Sequence, residues 1–193
     1  MKDNYHHGNL REALIEAGIK LINEEGENNL SLRKVASLCG VSHAAPYAHF
    51  KDKEELIDAI KESVTNSFME ELNNAINSAN SAEEAILNMG RSYVLFFINN
   101  PDYFKFLFSN QNITAHLRVD KKYENDYPPF VLLKNEYLKY LDEKKLIRTD
   151  DEKEIDIIRI WSTVHGLASL ACMKNVEVSF NWEDKLKSDI LLK

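Results

Sequence analysis

The feature that most restricts the fold of this chain is the spacing of its apolar residues, which repeats every three to four positions. Leu10, Leu14, Ala17 and Leu21 show this repeat near the start, and it places them on one face of a helix. The 193 residues include only six glycines and four prolines, so long stretches are free of residues that break helices. No stretch alternates with the period of two that a half-buried strand requires. We therefore predict an all-α fold.

The same pattern predicts about nine helices. Ser31, Ser42 and Asp52 stand at predicted starts and belong to residue types that cap helix N-termini. The charged stretch 118–129 ends in two prolines and is predicted to be a loop. The predicted helices are 9–25, 31–39, 43–50, 52 to beyond 72, 82–99, a short helix after Pro101, 129–144, 151–174 and 183–192.

Composition excludes several classes of protein. The longest run of apolar and aromatic residues, Tyr93–Ile98, is too short to span a bilayer, and the first residues have no apolar signal-peptide core. Two cysteines, Cys39 and Cys172, are too few for a disulfide scaffold or a four-cysteine zinc site. We expect a cytoplasmic protein without membrane, metal or cofactor.

The charge distribution bears on nucleic-acid binding. The chain has 24 basic and 31 acidic residues, a net charge of −7. No acidic residue nevertheless occurs in the interval between Glu27 and Asp52. This interval contains the basic residues Arg33, Lys34 and Lys51. Phosphate contact depends on cations that share a face free of acids, so the overall negative charge does not exclude DNA.

Two short predicted helices, 31–39 and 43–50, are separated by a turn at Gly40. This is the layout of a helix-turn-helix, in which the second helix enters the major groove and the first crosses the DNA backbone. The same layout also occurs in helical bundles that do not bind DNA. The nature of the residues in the interval favours the DNA-binding interpretation.

The interval resembles the DNA-binding domain of the TetR family of bacterial transcriptional regulators. The resemblance covers roughly residues 9–60 and rests on the succession Val-Ser, Tyr-x-His-Phe and Lys-x-x-Leu within 41–56. The sequence departs from the family pattern at Pro46, where an apolar residue such as leucine is usual. The positions that the resemblance assigns to DNA contact, with Lys51 added for its charge, are Ser31, Arg33, Ser42, His43, Ala44, Tyr47, His49, Lys51 and Lys53.

The segments Tyr5–Arg11 and Trp161–Gly166 resemble one branch of that family, whose second half is called the WHG domain. The predicted helix 151–174 is apolar almost all round, which predicts burial on both sides. The resemblance implies that one side forms a dimer interface and the other a ligand cavity. We assign Ser162, Gly166, Ser169 and Leu170 to the interface. Phe97, Phe104, Trp161 and His165 are assigned to the cavity, although such aromatic clusters are more often core.

The resemblance implies a ligand-responsive regulator, most simply a repressor, that binds a palindromic operator as a homodimer and is released by a small-molecule effector. We expect a DNA-binding domain over 1–52 and a ligand-binding and dimerisation domain over 53–193, with the fourth helix linking them. Two alternatives remain open at this point. One is a helical adaptor whose helices after residue 151 bind a protein, and the other is an enzyme that uses His165. No known catalytic motif supports the enzyme.

Overall fold

The computed structural model describes residues 10–109 and 113–187, and within these ranges all regular secondary structure is helical. Eight α-helices and two short 3₁₀ helices are present there, which confirms the all-α prediction. The α-helices are α1 (Leu10–Glu25), α2 (Leu32–Leu38), α3 (Lys53–Asn77), α4 (Ala82–Asn99), α5 (Pro101–Ser109), α6 (Pro128–Glu143), α7 (Asp150–Cys172) and α8 (Trp182–Lys187). The 3₁₀ helices are Glu27–Asn29 and Ala45–Ala48. Asn9 and the end of the last predicted helix lie outside the described residues.

The chain forms two compact units. The N-terminal unit ends at Val64 and also includes the segment that begins at Lys105, whereas the C-terminal unit comprises Thr65–Phe104 and the chain from Ile113 onward. The functional boundary predicted at 52/53, the start of α3, stays a prediction. The structure divides within α3 because the first turns of that helix pack on α1.

That packing is close. Leu56 and Ile60 of α3 are fully buried, and a β-carbon on Gly18 of α1 would lie 2.8 Å from Cδ1 of Ile60. A glycine at this position therefore allows the two helices to approach more closely than a larger residue would. The contact fixes the beginning of α3 to the N-terminal unit.

The predicted caps Ser31 and Asp52 are present, whereas no side chain caps the short helix that was expected to begin after Ser42. The Ser31 side chain accepts a hydrogen bond from the Lys34 amide at 3.3 Å at the start of α2. Asp52 does the same for the Glu55 amide at 2.9 Å at the start of α3. Gly26, which follows α1, has a φ of +87° that an L-residue seldom adopts. These residues explain why the helix boundaries could be predicted well.

The third predicted helix is shorter than expected. Instead of 43–50, the structure has the 3₁₀ helix Ala45–Ala48, and the amides of His49 and Phe50 both donate to the Pro46 carbonyl at 2.9 Å. Proline lacks an amide proton and cannot extend a hydrogen-bonded ladder towards the N-terminus. We call residues 42–49 the recognition turn.

The core of the C-terminal unit consists of aromatic side chains. The rings of Phe68 on α3 and of Phe96 and Phe97 on α4 have centroids 4.9–5.2 Å apart, and all three are buried. Helix α4 also packs against α6 and α7. None of the helices in the described ranges has the length and apolar character needed to cross a membrane.

The segment between α5 and α6 is a loop over its described residues, as predicted, but it is held by a charged cluster. Asp126, almost fully buried, lies 2.8 Å from Nζ of Lys134 on α6 and 2.6 Å from Nδ1 of His116. The Tyr123 ring stacks on the His116 ring at 3.8 Å. Burial alone would raise the pKa of Asp126, but the hydrogen bonds from Lys134 and His116 outweigh it and lower that pKa.

Candidate nucleic-acid interface and effector site

The turn between α2 and the recognition turn is fixed by backbone and side-chain contacts. Gly40 adopts a φ of +68°, and the next amide, Val41, donates to the Ala36 carbonyl at 3.0 Å, so the end of α2 is capped. The Cys39 thiol lies 3.4 Å from the Ala13 carbonyl of α1. After the recognition turn, the guanidinium carbon of Arg11 lies 5.5 Å from the centroid of the buried Phe50 ring. The recognition turn is thus held at both ends.

The residues assigned to DNA contact lie on the surface of the N-terminal unit. Ser31 and Lys53 are half-buried, and the others are exposed, including the Tyr47 ring with 54% of its surface accessible. An aromatic side chain this exposed has no role in the core, so Tyr47 is available to a ligand. The residues come from the start of α2, the recognition turn and the start of α3. The exposed members are Arg33, Ser42, His43, Ala44, Tyr47, His49 and Lys51.

Not every cation of the interval is equally available. Nζ of Lys34 lies 2.7 Å from the Glu25 carboxylate at the end of α1, so this lysine is already paired. The Lys51 side chain is 87% exposed and lies 3.7 Å from Asp52, a distance at which the pairing is weak. Of these two lysines, Lys51 is therefore the more available to an anion.

Ser37 is a residue of this surface that the sequence did not indicate. Its hydroxyl donates to the Arg33 carbonyl at 3.0 Å and lies 3.2 Å from Nε2 of His43, which joins α2 to the recognition turn. Serine is common on exposed helix faces, and no spacing rule distinguishes this one. Only the three-dimensional arrangement shows that it contacts His43.

The four residues assigned to a ligand cavity lie together in the C-terminal unit. The Phe104 ring is 5.3 Å from that of Phe97 and 5.1 Å from that of His165, and the Trp161 ring is 5.8 Å from His165. We call these four residues and Tyr93 the aromatic cluster. The Tyr93 hydroxyl lies 2.9 Å from Nδ1 of His165, a contact that the sequence did not predict.

Burial keeps the polar groups of this cluster uncharged. It lowers the pKa of His165 and raises the pKa of Tyr93. The Tyr127 hydroxyl is also buried, near Thr65, and makes no hydrogen bond of good geometry to the described residues. An apolar region with a few neutral hydrogen-bonding groups has the composition of small-molecule sites.

A separate groove lies between α4, α6 and α7. Its volume is about 310 Å³, and none of the four residues assigned to the cavity lines it. The lining is mainly aliphatic and aromatic, with Arg159 and Thr163 at the exposed side of α7. The remaining lining residues are Glu83, Ile86, Leu87, Gly90, Tyr137, Tyr140, Ile160 and Val164.

Helix α7 is buried on one side only. Ile157, Val164 and Ala168 face the core, whereas Ser162 and Leu170 are exposed. The single chain covers one side of the helix, and burial of the other side by a dimer partner stays a prediction. Gly166 has no atom of the described residues within 4 Å of where a β-carbon would be. The face with Ser162, Gly166, Ser169 and Leu170 is open in the single chain.

Comparison with known proteins agrees with this architecture. Residues 14–60 match the family described as bacterial regulatory proteins, tetR family. Tetracycline repressor protein class C of Escherichia coli is 41% identical over 54 residues, which are 28% of this chain and 25% of the repressor. The regulator YwcC of Bacillus subtilis is 23% identical over 163 residues, covering 81% of this chain and 73% of that protein.

Solved structures extend the similarity of fold over most of the chain. A protein of unknown function from Rhodococcus sp. RHA1 superposes with a TM-score of 0.71 at 23% identity, covering 96% of this chain and 94% of that chain. A regulatory protein in the tetR family, also from Rhodococcus, superposes with a TM-score of 0.69 at 13% identity, covering 93% and 92%. Identities this low show a shared fold and nothing more.

The fold and the exposed turn define a helix-turn-helix protein with an all-helical C-terminal unit. The similarity to the tetR family of bacterial regulatory proteins lies in the N-terminal domain, where residues 14–60 match the family. The aligned region spans about a quarter of the length of the tetracycline repressors.

Proposed function

We propose that the protein is a transcriptional regulator that binds a palindromic operator as a homodimer and is released from it by a small-molecule effector. Release by an effector would make it a repressor. The observation that carries the proposal is the exposed recognition surface, formed by the residues assigned to DNA contact, within a domain that matches the tetR family. A dimer with one such surface per protomer reads two half-sites related by a two-fold axis.

The residues of the recognition surface divide into two roles. Arg33, Lys51 and Lys53 carry positive charge and suit phosphate oxygens, and the Tyr47 and His49 side chains supply hydrogen-bond donors to the same backbone. Ser31 at the start of α2 lies where a helix terminus approaches phosphate.

We assign contact with the edges of the bases to the residues at the start of the recognition turn, Ser42, His43 and Ala44. The methyl group of Ala44 suits contact with a thymine methyl, so part of the specificity would come from apolar contact and DNA shape.

The open face of α7 supports dimerisation. Ser162, Gly166 and Ser169 are small, so a second helix can approach closely, and Leu170 with 46% of its surface accessible supplies apolar area. Exposed Ile155 and Ile158 extend the apolar surface along the same helix, and exposed Met173 follows directly after its end. A second copy of the chain is the partner with a matching surface.

The aromatic cluster is our proposed effector site. Phe97, Phe104, Trp161 and His165 offer stacking surfaces, and the Tyr127 hydroxyl offers a hydrogen bond that no described residue satisfies well. Helix α3 begins with Lys53 and carries Phe68, whose ring is 4.9 Å from Phe97, so one continuous helix connects the cluster with a DNA-contact residue. An effector that displaces this helix would weaken DNA binding, and by linkage DNA would weaken effector binding by the same factor.

Fluorescence anisotropy with a duplex from the region upstream of the gene tests the proposal. A scrambled duplex of equal length is the control, and both are titrated at several salt concentrations. We expect tighter binding to the native duplex, two protomers per site and a steep salt dependence. Screening for compounds that release the complex then tests effector control. Equal binding to both duplexes, insensitive to Lys53→Ala, would contradict the proposal.

A further inference from the structure

Ser37 and His43 form a hydrogen-bonded pair at the recognition surface. Ser37 lies in the last turn of α2, and its Oγ is 3.0 Å from the Arg33 carbonyl oxygen and 3.2 Å from Nε2 of His43. Both side chains are exposed to solvent and are therefore accessible to another molecule. The pair connects the helix that crosses the DNA backbone with the turn that enters the groove.

The two contacts together fix the position of a proton. A serine hydroxyl has one proton, and a carbonyl oxygen can only accept. If the Ser37 proton lies towards Arg33, the contact with His43 requires that Nε2 donates to Ser37 Oγ. Both hydrogen bonds can form at once only in this arrangement. The neutral His43 ring then carries its proton on Nε2, and Nδ1 has a free lone pair.

We propose that Ser37 is a positioning residue that holds His43 in the Nε2–H tautomer, so that Nδ1 accepts a hydrogen bond from the amino group of a base in the major groove. The inference rests on the DNA-binding function proposed above. Phosphate oxygens, guanine O6 and N7 and thymine O4 are all acceptors and cannot satisfy the Nδ1 lone pair. Adenine N6 and cytosine N4 are the donors that remain in that groove.

The neighbouring residues give His43 a special place in recognition. Ala44 and Ala45 have no polar side-chain atoms, and the Ser42 hydroxyl can either donate or accept. Whether this part of the operator must present a hydrogen-bond donor or an acceptor therefore depends on the His43 tautomer. We expect one position in each half-site at which adenine or cytosine is required on the strand that faces the imidazole.

The tautomer can be measured without DNA. Long-range proton–nitrogen correlation spectra at alkaline pH, where neutral histidine predominates, distinguish a protonated ring nitrogen from an unprotonated one. The His43 signals are assigned by their loss in His43→Ala. We expect the Nε2–H form in the wild type, a mixture in Ser37→Ala and the Nε2–H form again in Ser37→Thr, because a helical threonine can donate to the same carbonyl. A predominant Nδ1–H form in the wild type would overturn the proposal.

The consequence for DNA is measured by selecting duplexes from a random library. Ser37→Ala should reduce the preference at the one position by about two- to tenfold, the value of a single hydrogen bond, and His43→Ala should abolish it. Ser37→Thr should retain the preference. Lys51→Ala is the matched control, which should weaken binding to every duplex without changing the preferred base. Unchanged affinity of Ser37→Ala for non-selected DNA shows that the domain is folded.

The outcomes separate this inference from the function on which it rests. If the wild type selects a sequence and Ser37→Ala selects it equally strongly, the role of Ser37 is refuted while the DNA-binding function stands. If the wild type selects no sequence, both proposals fail. Selection of guanine or thymine as the partner of His43 would also refute the acceptor role of Nδ1.

Discussion

The Tyr93 hydroxyl lies 2.9 Å from Nδ1 of His165, and this hydrogen bond joins α4 to α7 at the centre of the C-terminal unit. The two residues are 72 positions apart in the sequence. Burial lowers the pKa of His165 and raises the pKa of Tyr93, so the pair is neutral near pH 7. A neutral pair can remain within an aromatic environment without the desolvation penalty of an ion pair.

Removing one partner should reveal the contribution of this bond. We expect Tyr93→Phe to lower the free energy of unfolding by about 1–3 kcal/mol, since a partly buried ring nitrogen loses a hydrogen bond. Urea unfolding of Tyr93→Phe, His165→Phe and the double variant forms a cycle. The double variant should lose less than the sum of the single losses. Strict additivity would show that the two side chains do not interact.

His165 should also make stability depend on pH. Its ordinary pKa is 6.5, and burial lowers it in the folded chain, so below that value the unfolded state binds the proton more readily. The contribution of neutral His165 to the free energy of unfolding is fully present above pH 6.5. It decreases as the pH falls towards the pKa of His165 in the folded chain. Thermal unfolding at a series of pH values should show the wild type losing its advantage over His165→Phe on acidification. A constant difference between the two proteins would contradict this.

Phosphate contacts should appear as salt dependence. Lys51→Ala and Lys53→Ala should each reduce the slope of log affinity against log salt by about 1, because each removes one phosphate contact. The control is Lys145→Ala, an exposed lysine of the C-terminal unit that is paired with Asp142. Anisotropy titrations at several salt concentrations measure the slopes. If Lys145→Ala changed the slope as much as Lys51→Ala, the recognition surface would be misplaced.

A substitution at Gly166 should weaken dimerisation without lowering the stability of the protomer. Its β-carbon position is open within the chain, so Gly166→Leu should leave the fold intact and, through higher helix propensity, stabilise it by up to about 1 kcal/mol. A leucine would prevent close approach of a second α7, so the dimer dissociation constant should rise by at least about tenfold. Sedimentation velocity measures this. Ile147→Glu, at a 95% exposed position in the turn before α7, is the matched control and should have no effect on assembly.

The cluster around Asp126 should be important for the stability of the C-terminal unit. Asp126→Asn leaves Lys134, which is 7% exposed, without its counter-ion, and we expect a loss of about 3–5 kcal/mol in the free energy of unfolding. The double variant Asp126→Asn with Lys134→Met removes the isolated charge and should recover part of that loss. Chemical denaturation compares the three proteins. A double variant less stable than Asp126→Asn alone would refute the ion-pair explanation.

The helices of this protein could be predicted because their signals are local. The end of α1 at Glu25, the Ser31 cap and the Asp52 cap each depend on a few consecutive residues. The recognition turn was predicted as a longer helix because Ser42 is a capping type, whereas Pro46 restricts the segment to one 3₁₀ turn. The division of the chain within α3 depends on how Gly18 packs against Ile60, and periodicity does not contain that information.

The candidate sites were predictable only in part, for the same reason. A motif of fixed spacing identified Tyr47, His49 and Lys53, and the aromatic composition identified Phe97 and Phe104. The sequence did not predict side-chain pairs that only the fold brings together, because the position of a serine or a tyrosine in the sequence does not indicate its hydrogen-bond partner. Ser37 with His43, Tyr93 with His165, and Asp126 with Lys134 belong to this group.

The acid-free interval between Glu27 and Asp52 has a consequence for how the proposed regulator would search a genome. The protein as a whole carries a charge of −7, so its net charge opposes the approach of a duplex except where cations lie apart from acids. Bulk chromosomal DNA would then be a poor sink, and few molecules would be sequestered at random sites. Operator occupancy would follow the number of molecules synthesised almost directly, which allows a small pool of regulator to control its target.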